Sequence, residues 1–251
     1  MSRFELDYSN LLIDIMTKGV VMPNRTGVDA STLFNRSINI DLCKNKFPIL
    51  TRKKMYFDKG LHEFNWFMSG STNVKYLNDN GIHWWNEFAD ENGELGLTYG
   101  YQLRHYNGVV DQLDYVLNQI KLRSRRAHIS LWNPGELEST SLPVCYTGFD
   151  FVVIKNKLNM SMDFRSSDVF LGLPYDIIVG ALMLYNIAKS SKLEVGVLGI
   201  NIKNAHIYVN HLKQCITYLE RPMYKLPKLN SSLDELIGYE HSEFIKAKLN
   251  N

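Results

Sequence analysis

A chain of 251 residues, 45% hydrophobic and 22% charged, is long enough to bury a large core and has the make-up of an ordinary globular protein. A formal charge of +2 excludes a general nucleic-acid surface, which needs a basic stripe or a strongly basic domain. Cys43, Cys145 and Cys215, widely spaced, make neither a disulfide framework nor a zinc site and suit a reducing cytoplasm.

Phe4, Tyr8, Leu11, Leu12, Ile15 and Met16 recur at helical spacing, with Gly19 at the expected end. Asn24-Arg25-Thr26-Gly27 reads as a turn carrying an exposed cation, and Leu33 to Leu42 as a strand. Thr51-Arg52-Lys53-Lys54 is a short basic run that, taken alone, reads as a solvated loop. The next helix, with Asp58 placed to cap it and Gly70 to end it, carries Leu61, Phe64, Phe67 and Met68. Glu63 lies among these apolar residues. Either it faces water beside the stripe, or it is buried and must be paired or protonated.

Trp84, Trp85 and Phe88 crowd one segment, as a core corner or as a wall for a flat heteroaromatic ligand. Val109, Leu113, Val116, Leu117 and Ile120 mark a helix running into Arg123-Ser124-Arg125-Arg126, ahead of a strand over Ala127 to Trp132. Guanidinium forks match phosphate oxygens, so these arginines are an anion site or a basic surface patch. Alternation from Phe149 to Val153 and from Leu158 to Phe164, around Lys155-Asn156-Lys157, predicts a hairpin. Ile177 to Ala188 is apolar nearly all round and predicts a buried central helix. Gly196 to Val209 returns as a strand that delivers His206 and Tyr208 to one face, and Asn210 is placed to cap a last helix through Cys215 and Tyr218. An irregular, polar tail follows Pro222 and Pro227.

No linker, repeat or low-complexity stretch divides the chain, so the expectation is one α+β domain over residues 1–251. Met1-Ser2-Arg3-Phe4-Glu5 lacks the apolar core of a signal peptide and no run approaches membrane-spanning length, which predicts a soluble cytoplasmic protein with no membrane partner. The histidines do not fall at ligand spacing, so no metal is expected.

The candidate nucleophile is Cys145, in Pro143-Val144-Cys145, leading into a strand over Tyr146 to Ile154. A free cysteine in isolation is more often a small buried hydrophobe; its surroundings change that. Glu63 in Leu61-His62-Glu63, Trp85, Tyr99-Gly100, Ser124-Arg125-Arg126, Arg165-Ser166, Asp168-Val169-Phe170-Leu171-Gly172-Leu173-Pro174 and His206-Ile207-Tyr208 stand in order along the chain. With them the chain resembles the thymidylate synthase family over nearly its whole length.

The resemblance implies a single α+β domain with a mixed sheet and a buried central helix, forming a homodimer through a sheet face. It implies Cys145 as nucleophile, with Glu63 relaying protons through water and Tyr99 and Asp168 beside them. Arg25, Arg165 and Ser166 would hold the nucleotide phosphate, with Arg125 and Arg126 supplied by the other subunit. His206 and Tyr208 would contact the sugar hydroxyl, and Asp168 would orient both base and folate. Trp85 would stack near the co-substrate 5,10-methylenetetrahydrofolate, and Lys53 would suit its glutamate tail. The chemistry explains these residue types: a thiolate adding at C6 of a pyrimidine makes C5 nucleophilic, and arginines beside the phosphate are expected to favour the thiolate.

The chain departs from the family's pattern in places that bear on substrate. The position that reads uracil, an asparagine in the synthases, is Asp176 here. A carboxylate accepts from the 4-amino group of cytosine and, with a shared proton, donates to N3; facing uracil it meets O4 with like polarity. A cap on the apolar helix after Pro174 is the bland alternative for Asp176. The residue after the nucleophile, usually His, is Tyr146, and the Gln usual before Arg165 is Phe164. The tail Ile245-Lys246-Ala247-Lys248-Leu249-Asn250-Asn251 is polar where the synthases carry an apolar seal, and a wetter site favours adding water over reduction.

The expected activity is therefore conversion of deoxycytidylate (dCMP) to its 5-hydroxymethyl derivative with release of tetrahydrofolate. This is the reaction of the hydroxymethylase branch that phages use for DNA modification, which would put the enzyme in a host cytoplasm. The alternatives are a reductive dCMP methylase, a synthase acting on dUMP, and an inactive nucleotide-binding member.

Overall fold

In the computed structural model, residues 2–43 and 46–250 are described; Met1 and Asn251, the outermost residues of the two terminal stretches, lie outside them. Helix α1 (Arg3–Lys18) leads through the short edge strand β1 (Val20–Met22) into β2 (Ala30–Asp41). Four helices follow: α2 (Phe57–Ser69), α3 (Lys75–Asp79), α4 (Tyr99–His105) and α5 (Gln112–Lys121). Next come β3 (His128–Ser130), the hairpin strands β4 (Tyr146–Ile154) and β5 (Lys157–Phe164), and the two-residue β6 (Ser167–Asp168). Then α6 (Gly172–Ser190), β7 (Glu194–Tyr208), α7 (Leu212–Glu220) and a small ribbon of β8 (Lys228–Leu229) and β9 (Leu236–Ile237) complete the chain.

The main sheet runs β1-β2-β7-β5-β4-β3, with β6 also on β7. β7 pairs parallel with β5 and β6 but antiparallel with β2, so the sheet is mixed and the fold is α+β. The parallel β5–β7 pair needs a crossover, and α6 supplies it. Because α6 is buried on nearly every side, it carries apolar residues nearly all round, from Leu173 and Ile177 to Ile187 and Ala188. Two glycines let its neighbours approach closely. A Cβ on Gly60 of α2 would stand 2.7 Å from Ile178 Cγ2, and one on Gly180 of α6 would stand 2.9 Å from Met162 Sδ on β5. The core is one contiguous cluster around α6 and the sheet.

Several local expectations are corrected. Asp58 lies inside α2, whose N-cap is Tyr56 with no side-chain bond; Gly70 ends the helix as expected, left-handed at φ 76°. α5 begins after Val109, which is exposed; Asp111 caps it by accepting from Leu113 and Asp114 N–H groups. The strand expected over Ala127 to Trp132 is ordered as a strand only over β3. Asn210 sits in a 3-10 turn and caps nothing; its amide pairs with Asn250 at 2.9 Å.

The basic run at Thr51–Lys54 is not a solvated loop. Thr51 and Lys53 are buried, because the buried carboxylate of Glu5 on α1 gathers the Thr51 N–H (2.8 Å), the Thr51 hydroxyl (2.5 Å) and the Arg52 N–H (2.9 Å). Among the described residues no helix is long and apolar enough to cross a membrane.

Candidate active site

A cavity of about 630 Å³ opens where the start of α6, the end of β7, the loop before β4 and the second half of α2 converge. Cys145 lies in its wall, and the local backbone explains how it is held. Tyr146 pairs with Phe164 and Gly148 with Asp163, so the β4–β5 ladder slips at Thr147; such a bulge re-aims the residues beside it. Gly148 is required there, since a Cβ would stand 2.6 Å from Ile129 O. Arg165 clamps the cysteine loop: Nε donates to Val144 O at 2.8 Å and Nη2 to Pro143 O at 2.7 Å, while its backbone N–H reaches Cys145 O at 3.0 Å. Tyr99 Oη accepts the Cys145 N–H at 2.6 Å, and the same hydroxyl hydrogen-bonds the sulfur.

The electrostatics of that sulfur run against expectation. Burial pushes the Cys145 thiol up, and the Asp176 charge adds to this; Arg165, Tyr99 and Arg25 pull the other way and lose. In the free protein the neutral thiol is favoured, so the arginines alone do not activate it.

Three acids line the same cavity: Glu63, Asp168 and Asp176. Glu63 is buried, the second of the alternatives its sequence position allowed. Its Oε1 accepts from Trp85 Nε1 at 2.6 Å and Trp84 Nε1 at 2.9 Å, while Oε2 accepts nothing from the described residues. Burial raises its pKa, although both indole bonds oppose the shift. Asp176 has no hydrogen bond from any described residue, and burial, followed by the charges of Glu63 and Asp168, holds its carboxyl well above the ordinary value of 3.8. It stands a full turn inside α6, too deep to cap it. No side chain caps α6, whose N-cap is Leu171; Asp168 instead orders the turn ahead of it, accepting from the Phe170 N–H at 3.0 Å and the Leu171 N–H at 3.2 Å.

The opposite side of the cavity is wetter. Arg25 is exposed in its turn, and Thr26 hydrogen-bonds Tyr208. Tyr208 and His206, two apart on β7, face the same way with ring centroids 5.3 Å apart. His206 Nδ1 lies 3.1 Å from Asn204 Oδ1 and 3.4 Å from Ser166 Oγ, and burial lowers its pKa, favouring the neutral ring.

Cys145, Glu63, Tyr99, Trp85, Arg25, Arg165, Ser166, Asp168, Asp176, His206 and Tyr208 thus share one cavity. Three expected residues stand apart from it. Arg125 and Arg126 are exposed, ahead of β3. Lys53, expected at the folate's glutamate tail, is buried, its Nζ donating to Phe170 O at 2.6 Å and lying 4.1 Å from that ring's centroid. Desolvation lowers its pKa to about 8. In this position it pins the turn into α6.

Sequence reasoning missed Trp84 as a partner of Glu63, although consecutive indoles following a helix with an acid set among its apolar residues are a usable signal. It also missed Tyr175, whose ring lies 5.2 Å from that of Trp84, and Asn204. The tail does reach the site. His211 Nε2 lies 2.7 Å from Lys248 O, and Ala247, Leu249 and Asn250 line the cavity.

The wall formed by Trp84, Trp85, Phe88 and Tyr175 suits a flat heteroaromatic ring, and the unbonded Asp176 carboxyl in the same cavity suits a base with polar edges. Among the described residues no cluster of histidine, cysteine or acid side chains could hold a metal. The family model described as thymidylate synthase matches residues 6–250, and the chain belongs to that family. Its chemistry is transfer of a one-carbon unit to C5 of a pyrimidine nucleotide, with methylenetetrahydrofolate as co-substrate.

Proposed function

We propose, from this family membership, that the protein is a deoxycytidylate 5-hydroxymethyltransferase, converting dCMP, 5,10-methylenetetrahydrofolate and water to 5-hydroxymethyl-dCMP and tetrahydrofolate. The observation that carries the reading is Asp176: a carboxyl in the cavity wall, bonded to none of the described residues and too deep in α6 to serve as its cap. A neutral carboxylic acid offers one donor and one acceptor. Cytosine presents the complement, a bare N3 and a 4-amino hydrogen. The shared proton is drawn toward the ring nitrogen, which makes the pair charge-assisted and stronger. Uracil already carries its N3 proton and gains only a neutral pair.

In this reading Cys145 sulfur adds to C6 of the base, with the Tyr99 hydroxyl supporting the developing thiolate. Because the free thiol is favoured at rest, the proton leaves only as the base takes up the electrons. Glu63, with its raised pKa and one free oxygen, moves protons to and from the ring through water. Arg25, Arg165 and Ser166 hold the phosphate, joined by Arg125 and Arg126 reaching across a homodimer interface. His206 and Tyr208 receive the sugar hydroxyl. Asp168, fixed by the start of α6, orients base and folate, and Trp85 walls the folate side. The co-substrate supplies the one-carbon unit at the oxidation level of formaldehyde.

A reductive dCMP methylase is the second reading, favoured by Ala247 and Leu249 on the cavity wall, since apolar cover excludes water. Incubating the purified protein with methylenetetrahydrofolate and either dCMP or dUMP, then weighing the product, separates the readings. A hydroxymethyl product from dCMP with tetrahydrofolate is expected, and Cys145→Ala is expected to abolish it while nucleotide binding persists. A methyl product with dihydrofolate establishes the methylase, and turnover of dUMP in preference to dCMP removes the cytosine reading.

A further inference from the structure

Tyr146 follows the nucleophile directly and lines the same cavity, yet its hydroxyl is buried with no hydrogen-bond partner among the described residues. The ring cannot swing to find one. Its backbone is paired to Phe164 beside the bulge, and the rings of Tyr99, Phe164 and Phe149 hold it at centroid distances of 4.6, 5.5 and 5.7 Å. A buried hydroxyl left unpaired costs stability, and phenylalanine would fill the same space without that cost. The charges that act on this phenol are those of Tyr99, Asp176, Glu63 and Cys145, so the oxygen sits amid the reacting groups. Nearby, Glu63 also keeps one carboxyl oxygen free of described partners. A buried water requires two to four polar partners, and these two groups supply them.

We propose that the Tyr146 hydroxyl and Glu63 hold between them the water that adds to the one-carbon unit, making Tyr146 a positioning residue for hydration. This rests on the hydroxymethyltransferase reading. The step balances without a redox change. After the folate departs, C5 carries an exocyclic methylene while C6 is still bonded to sulfur. The water oxygen forms a bond to the methylene carbon, the methylene double-bond pair moves into the ring, and the water's proton passes to Glu63. The ring pair then returns to form the C5–C6 double bond, and Cys145 leaves as thiolate.

The test compares wild type with Tyr146→Phe, using dCMP tritiated at C5, methylenetetrahydrofolate and a small thiol that adds to the methylene when water does not. Tritium release reports all steps up to loss of the C5 hydrogen; mass spectrometry reports the partition between hydroxymethyl and thioether products. In Tyr146→Phe the melting temperature is expected to hold or rise and tritium release to change little, while the partition moves from water toward thiol by about tenfold. An unchanged partition, or a proportional fall in tritium release and every product, overturns the proposal. A wild-type protein that makes no hydroxymethyl product fails at the earlier reading, and that failure is visible before the variant is measured.

Discussion

Two acids in this protein, one in the core and one in the cavity wall, have opposite surroundings. Glu5 on α1 is fully enclosed and satisfied: to the Thr51 and Arg52 donors is added the Tyr218 hydroxyl at 2.9 Å. Asp176 on α6 borders the cavity and receives no hydrogen bond from the described residues, and burial works against its charge. The first carboxylate is structural, because its bonds tie α1, the Thr51 loop and α7 together. The second gains nothing for the fold from its polarity and is left open to the cavity, as the proposed base-reading role requires. Glu63 stands between them, with one oxygen engaged by two indoles and the other free. For a buried acid, the donors the fold supplies separate a structural role from a functional one better than depth does.

The largest effect that would sharpen this contrast lies at the intermediate acid. Glu63→Gln keeps an oxygen for the two indole donors and should fold normally, yet it cannot move protons. Its kcat for dCMP turnover should fall by roughly 10²-fold or more, measured beside an unchanged melting curve. At Asp176→Asn, the ratio of kcat/KM for dCMP over dUMP should drop by roughly 10- to 100-fold with no loss of stability. An unchanged ratio, or a destabilised fold, would break the contrast from the functional side.

Glu5→Gln should do the reverse. It retains activity per folded molecule but loses about 2 kcal/mol as donors are left unmatched, and a chain of this size then melts roughly 4–8 °C lower. A variant that melts like wild type would break the contrast from the structural side.

The smallest effect is in the pH dependence. Asp176 has its folded pKa above its unfolded one, so the native state binds more protons, and its contribution to stability falls as pH rises from near 3.8 through the raised value. Asp176→Asn removes that slope. The stability difference in favour of the variant should therefore grow from pH 4 upward in urea titrations.

Regular patterns of side chains made much of the fold legible in sequence. Alternation located the β4–β5 hairpin and the shared face of His206 and Tyr208, and the all-round apolar run located α6. Gly70 marked its helix end because few other residues accept a positive φ readily. Features that depend on contacts distant in sequence were not legible. Lys53 is drawn inside by a carbonyl 117 residues away, and the partners of Glu63 lie on a turn 21 and 22 residues on. Asp58 and Asn210 have the side chains of helix caps, but the chain starts each helix elsewhere. For the site, residue types pointed to the chemistry, but whether the sulfur rests as thiol or thiolate depended on burial, which no motif encodes.

Gly60 carries one more implication. It lies one turn before Glu63 on α2, and Ile178, the residue it lets in, lies half a turn past Asp176 on α6. The distance between Glu63 and Asp176, the acids proposed to move protons and to read the base, is thus gauged by a methyl group that is missing. Alanine at this position would act as a shim, prising the two helices apart and detuning both acids without touching either.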